Sequence, residues 1–222
     1  MEVRPDIYHT ISEDAVTDTR EKASKFIAFA YAVQTELQVE QKLEMLWKLH
    51  PKATHICYAY RLGSDQNRFR MVDDGEPSNT AGKPIYGQIL SHDVTDVVVF
   101  VVRYYGGTKL GASGLIAAYK DAASEVLTLA GREEKREMMR TIFTIDYAEM
   151  GQVLNALKWV EFEIGDKSFG ETATVEALCG VAEFDSKFLR FRSFLLGLPD
   201  EMINDDTEIP YCKITSQSIL RP

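Results

Sequence analysis

Apolar positions fall into runs whose spacing changes along the chain, and each change marks an element. Val97-Val98-Val99-Phe100-Val101-Val102 is an unbroken β-branched and aromatic run, the pattern of a strand covered on both faces. Beyond a glycine-rich interval, Leu115, Tyr119, Ala122, Val126 and Leu129 recur in steps of three and four, with Ile116, Ala123, Leu127 and Ala130 alongside. That spacing predicts an amphipathic helix stopped at Gly131. Upstream, Phe26–Val33 reads as a strand. Val39, Leu43, Leu46 and Leu49 line one face of a helix over Glu36–His50, which Pro51 ends. Ala53–Leu62 alternates: Thr54, Ile56, Tyr58, Tyr60 and Leu62 face one way and His55, Cys57, Ala59 and Arg61 the other, as in a half-buried strand. Short strands are expected at Tyr8–Ile11 and Ala15–Thr17, and the charged Arg20–Lys25 reads as a solvated turn.

After Gly131 the character changes. Arg132–Arg140, REEKREMMR, is a charged segment and reads as a linker. A strand at Thr141–Tyr147 and a helix carrying Val153, Leu154, Leu157 and Val160 follow. Two strands then meet near Gly165–Gly170, and Phe184, Phe188, Phe191 and Leu195 mark a second helix before a last strand at Ile209–Ile214. The order βαββαβ is that of a ferredoxin-like split βαβ sandwich. The expectation is an α+β protein of two domains, residues 1–133 and 138–222.

The composition narrows what these domains can do. With 222 residues and 45% hydrophobic content a sizeable core is available. A net charge of −9 argues against indiscriminate duplex binding, which needs a broad basic face, and leaves room for local basic patches. The second part is the more acidic, with 16 acids against 10 bases from Glu134 onward, and offers itself as a protein-docking surface. No apolar run approaches the ~20 residues of a membrane helix, and MEVRPDIYHT lacks a secretory pattern. Cys57, Cys179 and Cys212 form no CxxC pair and read as reduced thiols of a cytoplasmic protein.

Two loops carry the candidate chemistry. Between the buried strand and the long helix lie Gly106, Gly107, Gly111 and Gly114, around Thr108 and Lys109. Glycines permit positive φ and close approach to backbone amides, and the helix start adds unpaired N–H groups and a positive dipole end. The result suits an anion, with Lys109 and Arg103 adding charge; alternatively Ser113 caps the helix and the loop is a tight turn. The spacing matches neither GxxxxGK[ST] nor GxGxxG. The other loop, Asp73–Pro84 (DDGEPSNTAGKP), is polar and long enough to be functional. Asp73, Asp74 and Glu76 suit a hard cation or, equally, turn amides. They are expected to serve the loop's architecture, with Lys83 and Arg103 as charged neighbours. No EF-hand spacing surrounds them. Ser78 and Thr80 lack a GxSxG setting, and His92 stands far along the chain. His55 and Cys57 lack the second pair that zinc requires. No catalytic residue, metal or cofactor is expected.

DDGEPSNTAGKPI (Asp73–Ile85) followed by VVVFVVRYYGGTKLGASGLIAAY (Val97–Tyr119) resembles the signature of the IMPACT family, in its bacterial YigZ-like branch. Lys22–Ala28 and His55–Tyr60 resemble further blocks of the same domain. Two departures stand out: Asn79 replaces the usual glycine, and Ile116-Ala117-Ala118-Tyr119 replaces a valine-arginine-alanine-tyrosine. The resemblance implies a ribosomal protein S5 domain 2-like N-terminal domain and a ferredoxin-like C-terminal domain, a tandem similar to the last two domains of elongation factor G. It also implies a link to translation. Eukaryotic relatives regulate translation by competing for a ribosome-associated activator of an initiation-factor kinase, largely through an extra RWD domain; no room for one is expected in these residues, so that partner is not carried over.

The leading expectation is a non-enzymatic, translation-associated protein that binds RNA or a ribosomal surface. Its contacts would be Arg103, Gly106, Gly107, Lys109, Gly111, Ser113, Gly114, Lys83, Lys25 and Arg61, with Lys120, and with Tyr104 and Tyr105 able to stack on bases. The alternatives are an enzyme or small-ligand protein acting on a phosphorylated substrate, and a protein-docking module.

Overall fold

The computed structural model describes residues 6–64, 67–204 and 206–221; Met1 to Pro5, part of the segment read above as lacking a secretory pattern, lie outside them. The chain divides into two compact units, one of Tyr8–Lys135 and the other of Arg136–Pro222 joined by Asp6 and Ile7. Both are α+β, as the resemblance implies.

The chain up to Arg136 forms β1 (Ile7–Thr10), β2 (Ala15–Glu21), β3 (Ser24–Ala32), α1 (Glu36–Leu49), β4 (His55–Leu62) and β5 (Arg68–Val72). It continues with α2 (Gly82–Ser91), β6 (Val97–Tyr104), α3 (Gly111–Ala130) and β7 (Glu133–Arg136). Five strands make an antiparallel sheet in the order β2-β3-β6-β4-β5, while β1 and β7 pair as a separate ribbon. The β-branched run of β6 lies at the centre of the sheet, buried on both faces. Val97, Val99 and Val101 pack with Phe26, Ala28, Cys57 and Ala59 beneath α2 and α3. Val98, Phe100 and Val102 pack with Tyr58, Tyr60 and Leu62 beneath α1. The start of α1 is fixed by a reciprocal cap: the Gln38 amide donates to Thr35 Oγ1 at 3.2 Å, and the Thr35 amide donates to Gln38 Oε1 at 3.1 Å.

Several expectations need correction. β4 is covered on both faces because it lies between β6 and β5 under helices from either side. The supposed turn Arg20–Lys25 is mostly strand; β2 runs to Glu21, β3 starts at Ser24, and Lys22 turns the chain at φ 53°. Leu129 faces solvent despite its spacing. β5 and α2 had no counterpart in the pattern. The charged linker is strand for most of its length, in β7 and the beginning of the next strand.

The second unit contains β8 (Met138–Ile145), α4 (Met150–Trp159), β9 (Glu163–Phe169), β10 (Ala173–Gly180), α5 (Phe184–Leu196) and β11 (Cys212–Leu220). Its antiparallel sheet has the order β11-β8-β10-β9, the ferredoxin-like arrangement. Phe143, Ile145, Val175 and Ala177 form its core with Val153, Leu157, Phe191 and Leu195. The last strand begins later than its apolar pattern predicts. Ile209 is buried, but Pro210 has no N–H for a ladder, so β11 starts only at Cys212.

Candidate functional site

The loop between β5 and α2 turns its carboxylates onto its own backbone. Asp73 accepts from the Asn79 amide at 2.8 Å through Oδ2, and from the Ala81 and Gly82 amides at 3.0 and 2.8 Å through Oδ1. A side chain upstream of α2 therefore satisfies the amides of its first turn. Asp74 Oδ2 accepts from the Ile56 amide at 2.7 Å, and its carbonyl takes a hydrogen bond from His55 Nδ1 at 2.7 Å, tying the loop to β4. Asp74, Gly75 and Asn79 all adopt positive φ, at 42°, 84° and 63°. Asn79 thus occupies the left-handed region, where asparagine is the residue that best replaces glycine. That accounts for one departure from the family pattern.

Glu76 points inward. Its Oε1 accepts from Arg103 Nη1 and from the Tyr119 hydroxyl, the latter at 2.8 Å. Arg103 is only 5% exposed, and its Nη2 donates to Ser24 Oγ at 3.3 Å. Its guanidinium lies 5.4 Å from the Phe26 ring centre and 5.5 Å from that of Tyr105. Cys57 Sγ is 3.3 Å from the Tyr119 hydroxyl and 3.0 Å from the Asp73 carbonyl. Burial pushes the Cys57 thiol up and does the same for the Tyr119 phenol. At neutral pH both keep their protons, so Cys57 is no ready nucleophile and Tyr119 remains a donor to Glu76.

The loop between β6 and α3 is built differently. A Cβ at Gly106 would come within 1.9 Å of the Ala23 carbonyl oxygen, so only glycine passes there. The Gly106 amide donates to Ser24 Oγ at 3.4 Å, and that of Tyr105 to Thr54 Oγ1 at 3.0 Å. α3 then starts behind Leu110 with no side-chain cap; Ser113 does not fill that place. Thr108, Lys109, Gly111, Ala112 and Ser113 are exposed.

The sequence-predicted residues part company here. Lys109 is exposed on the glycine loop, Lys120 on α3 and Lys83 in the first turn of α2. Lys25 pairs in register with Tyr104 at the loop end of β3, and its Nζ meets Asp18 at 3.1 Å. Arg103 is turned inward and presents no surface charge. Arg61 cannot join this surface: His55 pairs with Arg103, whereas Arg61 pairs with Val97, six residues and about 20 Å along the strand. Tyr104 turns its hydroxyl inward, 2.9 Å from His50 Nδ1, while Tyr105 stays 45% exposed. Thr80 Oγ1 donates to the Pro77 carbonyl at 2.6 Å, Ser78 is exposed, and His92 sits at the far end of α2. Among the described residues no group of three or more His, Cys, Asp or Glu could hold a metal ion, and no helix is long and apolar enough to cross a membrane. Sequence reasoning missed Tyr119 and His55 as partners of the carboxylate loop, and Ser24 as a partner of Arg103 and the Gly106 amide. Tyr119 falls within an apolar helical stripe, and nothing in its spacing signals a buried hydrogen bond.

A model of the Impact N-terminal domain matches residues 22–127, a span holding both loops. The IMPACT family member YvyE of Bacillus subtilis (strain 168) is 35% identical over 170 residues, covering 76% of this chain and 78% of that protein. The IMPACT family member in pol 5'region of Thermus thermophilus is 39% identical over 136 residues, 61% of this chain and 72% of that one. A solved structure described as the crystal structure of an hypothetical protein shares the fold, with a TM-score of 0.62 at 24% identity over 86% of this chain and 94% of that one.

Proposed function

The chain belongs to the IMPACT family, and on that premise we propose that it is a translation-associated regulatory protein. In this reading it acts in the cytoplasm and binds RNA or a ribosomal surface through the glycine-rich loop of its first unit. The observation that carries the reading is the start of α3, which no side chain caps, beside an exposed Lys109. First-turn amides carry partial positive charge and need acceptors, and phosphate oxygens supply them. Gly106, Gly107, Gly111 and Gly114 keep side chains away from those amides, and Ser113 adds a hydroxyl. Lys83 and Lys120 contribute charge around the rim. Tyr105, exposed and underlain by the Arg103 guanidinium, offers a face for a splayed base. Arg103 supports this surface from within. A net charge of −9 restricts such binding to a few phosphates.

Co-sedimentation with ribosomes at graded salt tests the proposal. Retention at low salt that fades steeply as salt rises is the expected result, because each phosphate contact releases counterions. A protein that stays in the supernatant at every salt concentration, or pellets regardless of salt, would contradict it.

A further inference from the structure

A second surface of the first unit lies outside both loops. β5 ends the five-stranded sheet, so among the described residues no other strand is bonded to its outer edge, and Arg68, Phe69, Arg70 and Met71 are all exposed. The opposite edge strand, β2, carries both signs of charge in Asp18, Arg20 and Glu21, so its charges select for neither sign in a further strand. β5 carries arginine alone. Among the described residues, no ion pair engages Arg68 or Arg70. The register sorts the two residue types. Arg68 and Arg70 stand opposite Leu62 and Tyr60, on the face that α1 covers, while Phe69 and Met71 stand opposite Arg61 and Ala59, on the face of α2 and α3. Phe69 and Met71 remain 50% and 41% exposed, and the Phe69 ring stacks on Tyr86 at 4.9 Å.

We infer that this edge receives an extended segment of a partner protein as a sixth strand, a segment in which acidic and apolar residues alternate. The free main-chain groups of β5 bond the incoming backbone. The period of two then puts every second side chain beside the arginines and the others beside Phe69 and Met71. Acids are required on the first face and apolar groups on the second. Single-stranded RNA fits this edge poorly. The arginines that would meet its phosphates and the Phe69 ring that would stack on its bases project from opposite faces of the sheet.

The test is fluorescence anisotropy of the full chain with a labelled octapeptide of alternating glutamate and valine. That peptide should bind more tightly than one with four glutamates followed by four valines. N-methylation of one alternating set of its amides should abolish binding, and methylation of the other set should leave it intact, since only one edge of the peptide meets β5. The double variant Arg68→Glu, Arg70→Glu should weaken binding by roughly tenfold or more with an unchanged melting temperature. Equal binding of the block peptide, indifference to both methylation sets, or no binding at all would overturn the inference. So would displacement of the peptide by polyuridylate in a manner that depends on the two arginines.

Discussion

α2 and α3 pack against each other on the same face of one sheet, yet their first turns meet different surroundings. The amides that open α2 are taken by Asp73 from within the chain. Those that open α3 receive no side-chain cap and lie among exposed glycine, serine and lysine. The carboxylate loop also sends Glu76 inward to Arg103, which sits at the end of the strand leading into the glycine loop. One loop is thus internally satisfied and anchors its neighbour, and the neighbour keeps its polar groups facing out. The difference teaches that a loop rich in acidic residues can be architecture while a nearly chargeless one is the better candidate for binding.

The largest expected effect comes from breaking the anchor. Glu76→Ala would leave the Arg103 guanidinium buried without its carboxylate, at a cost of about 3–5 kcal/mol. Urea unfolding should read that loss, and the double variant Glu76→Met, Arg103→Met should recover most of it. A single variant with unaltered stability would show that the two loops are not linked. Next in size is Asp73→Ala, which removes the acceptor of three amides and should cost about 1–2 kcal/mol. Hydrogen exchange should quicken at the start of α2 and stay unchanged at the start of α3; equal quickening in both would erase the contrast.

Much of this arrangement is legible in the residues, and the remainder is not for physical reasons. The β6 run and the α3 periodicity report burial, which hydrophobic spacing encodes directly, and the βαββαβ order of the second unit is visible for the same reason. β5 is missed because an exposed edge strand, Arg68–Val72, buries almost nothing and so leaves no pattern. α2 is missed because Gly82, Pro84 and Gly87 resemble loop punctuation; the proline falls in the first turn, where a helix tolerates it. Asp73, Asp74 and Glu76 turn onto amides, an arginine and a tyrosine whose nearness in space the sequence does not show. Arg103 and Arg61 are likewise placed by burial and register, which composition cannot supply.

A smaller effect probes the glycine loop from beneath. Burial, with the Lys25 charge adding to it, holds the His50 imidazole below its usual range. Between that lowered value and the ordinary one near ~6.5, the unfolded chain binds more protons than the folded one. Stability should therefore fall as pH is lowered through this window. His50→Gln should flatten that part of the pH profile; an identical slope in both proteins would mean that His50 does not titrate differently on folding.

The smallest stability effect belongs to Lys109→Ala, within about 0.5 kcal/mol of the parent, and this variant also gives the most direct test. Melting temperature and ribosome co-sedimentation should be measured side by side for Lys109→Ala and Asp73→Ala. The account predicts a crossed result. Lys109→Ala keeps its melting temperature, binds more weakly and has a salt slope reduced by about one, whereas Asp73→Ala melts earlier and, while folded, pellets with ribosomes like the parent. Undiminished binding by Lys109→Ala together with a lowered melting temperature would make the glycine loop a structural turn and contradict the account.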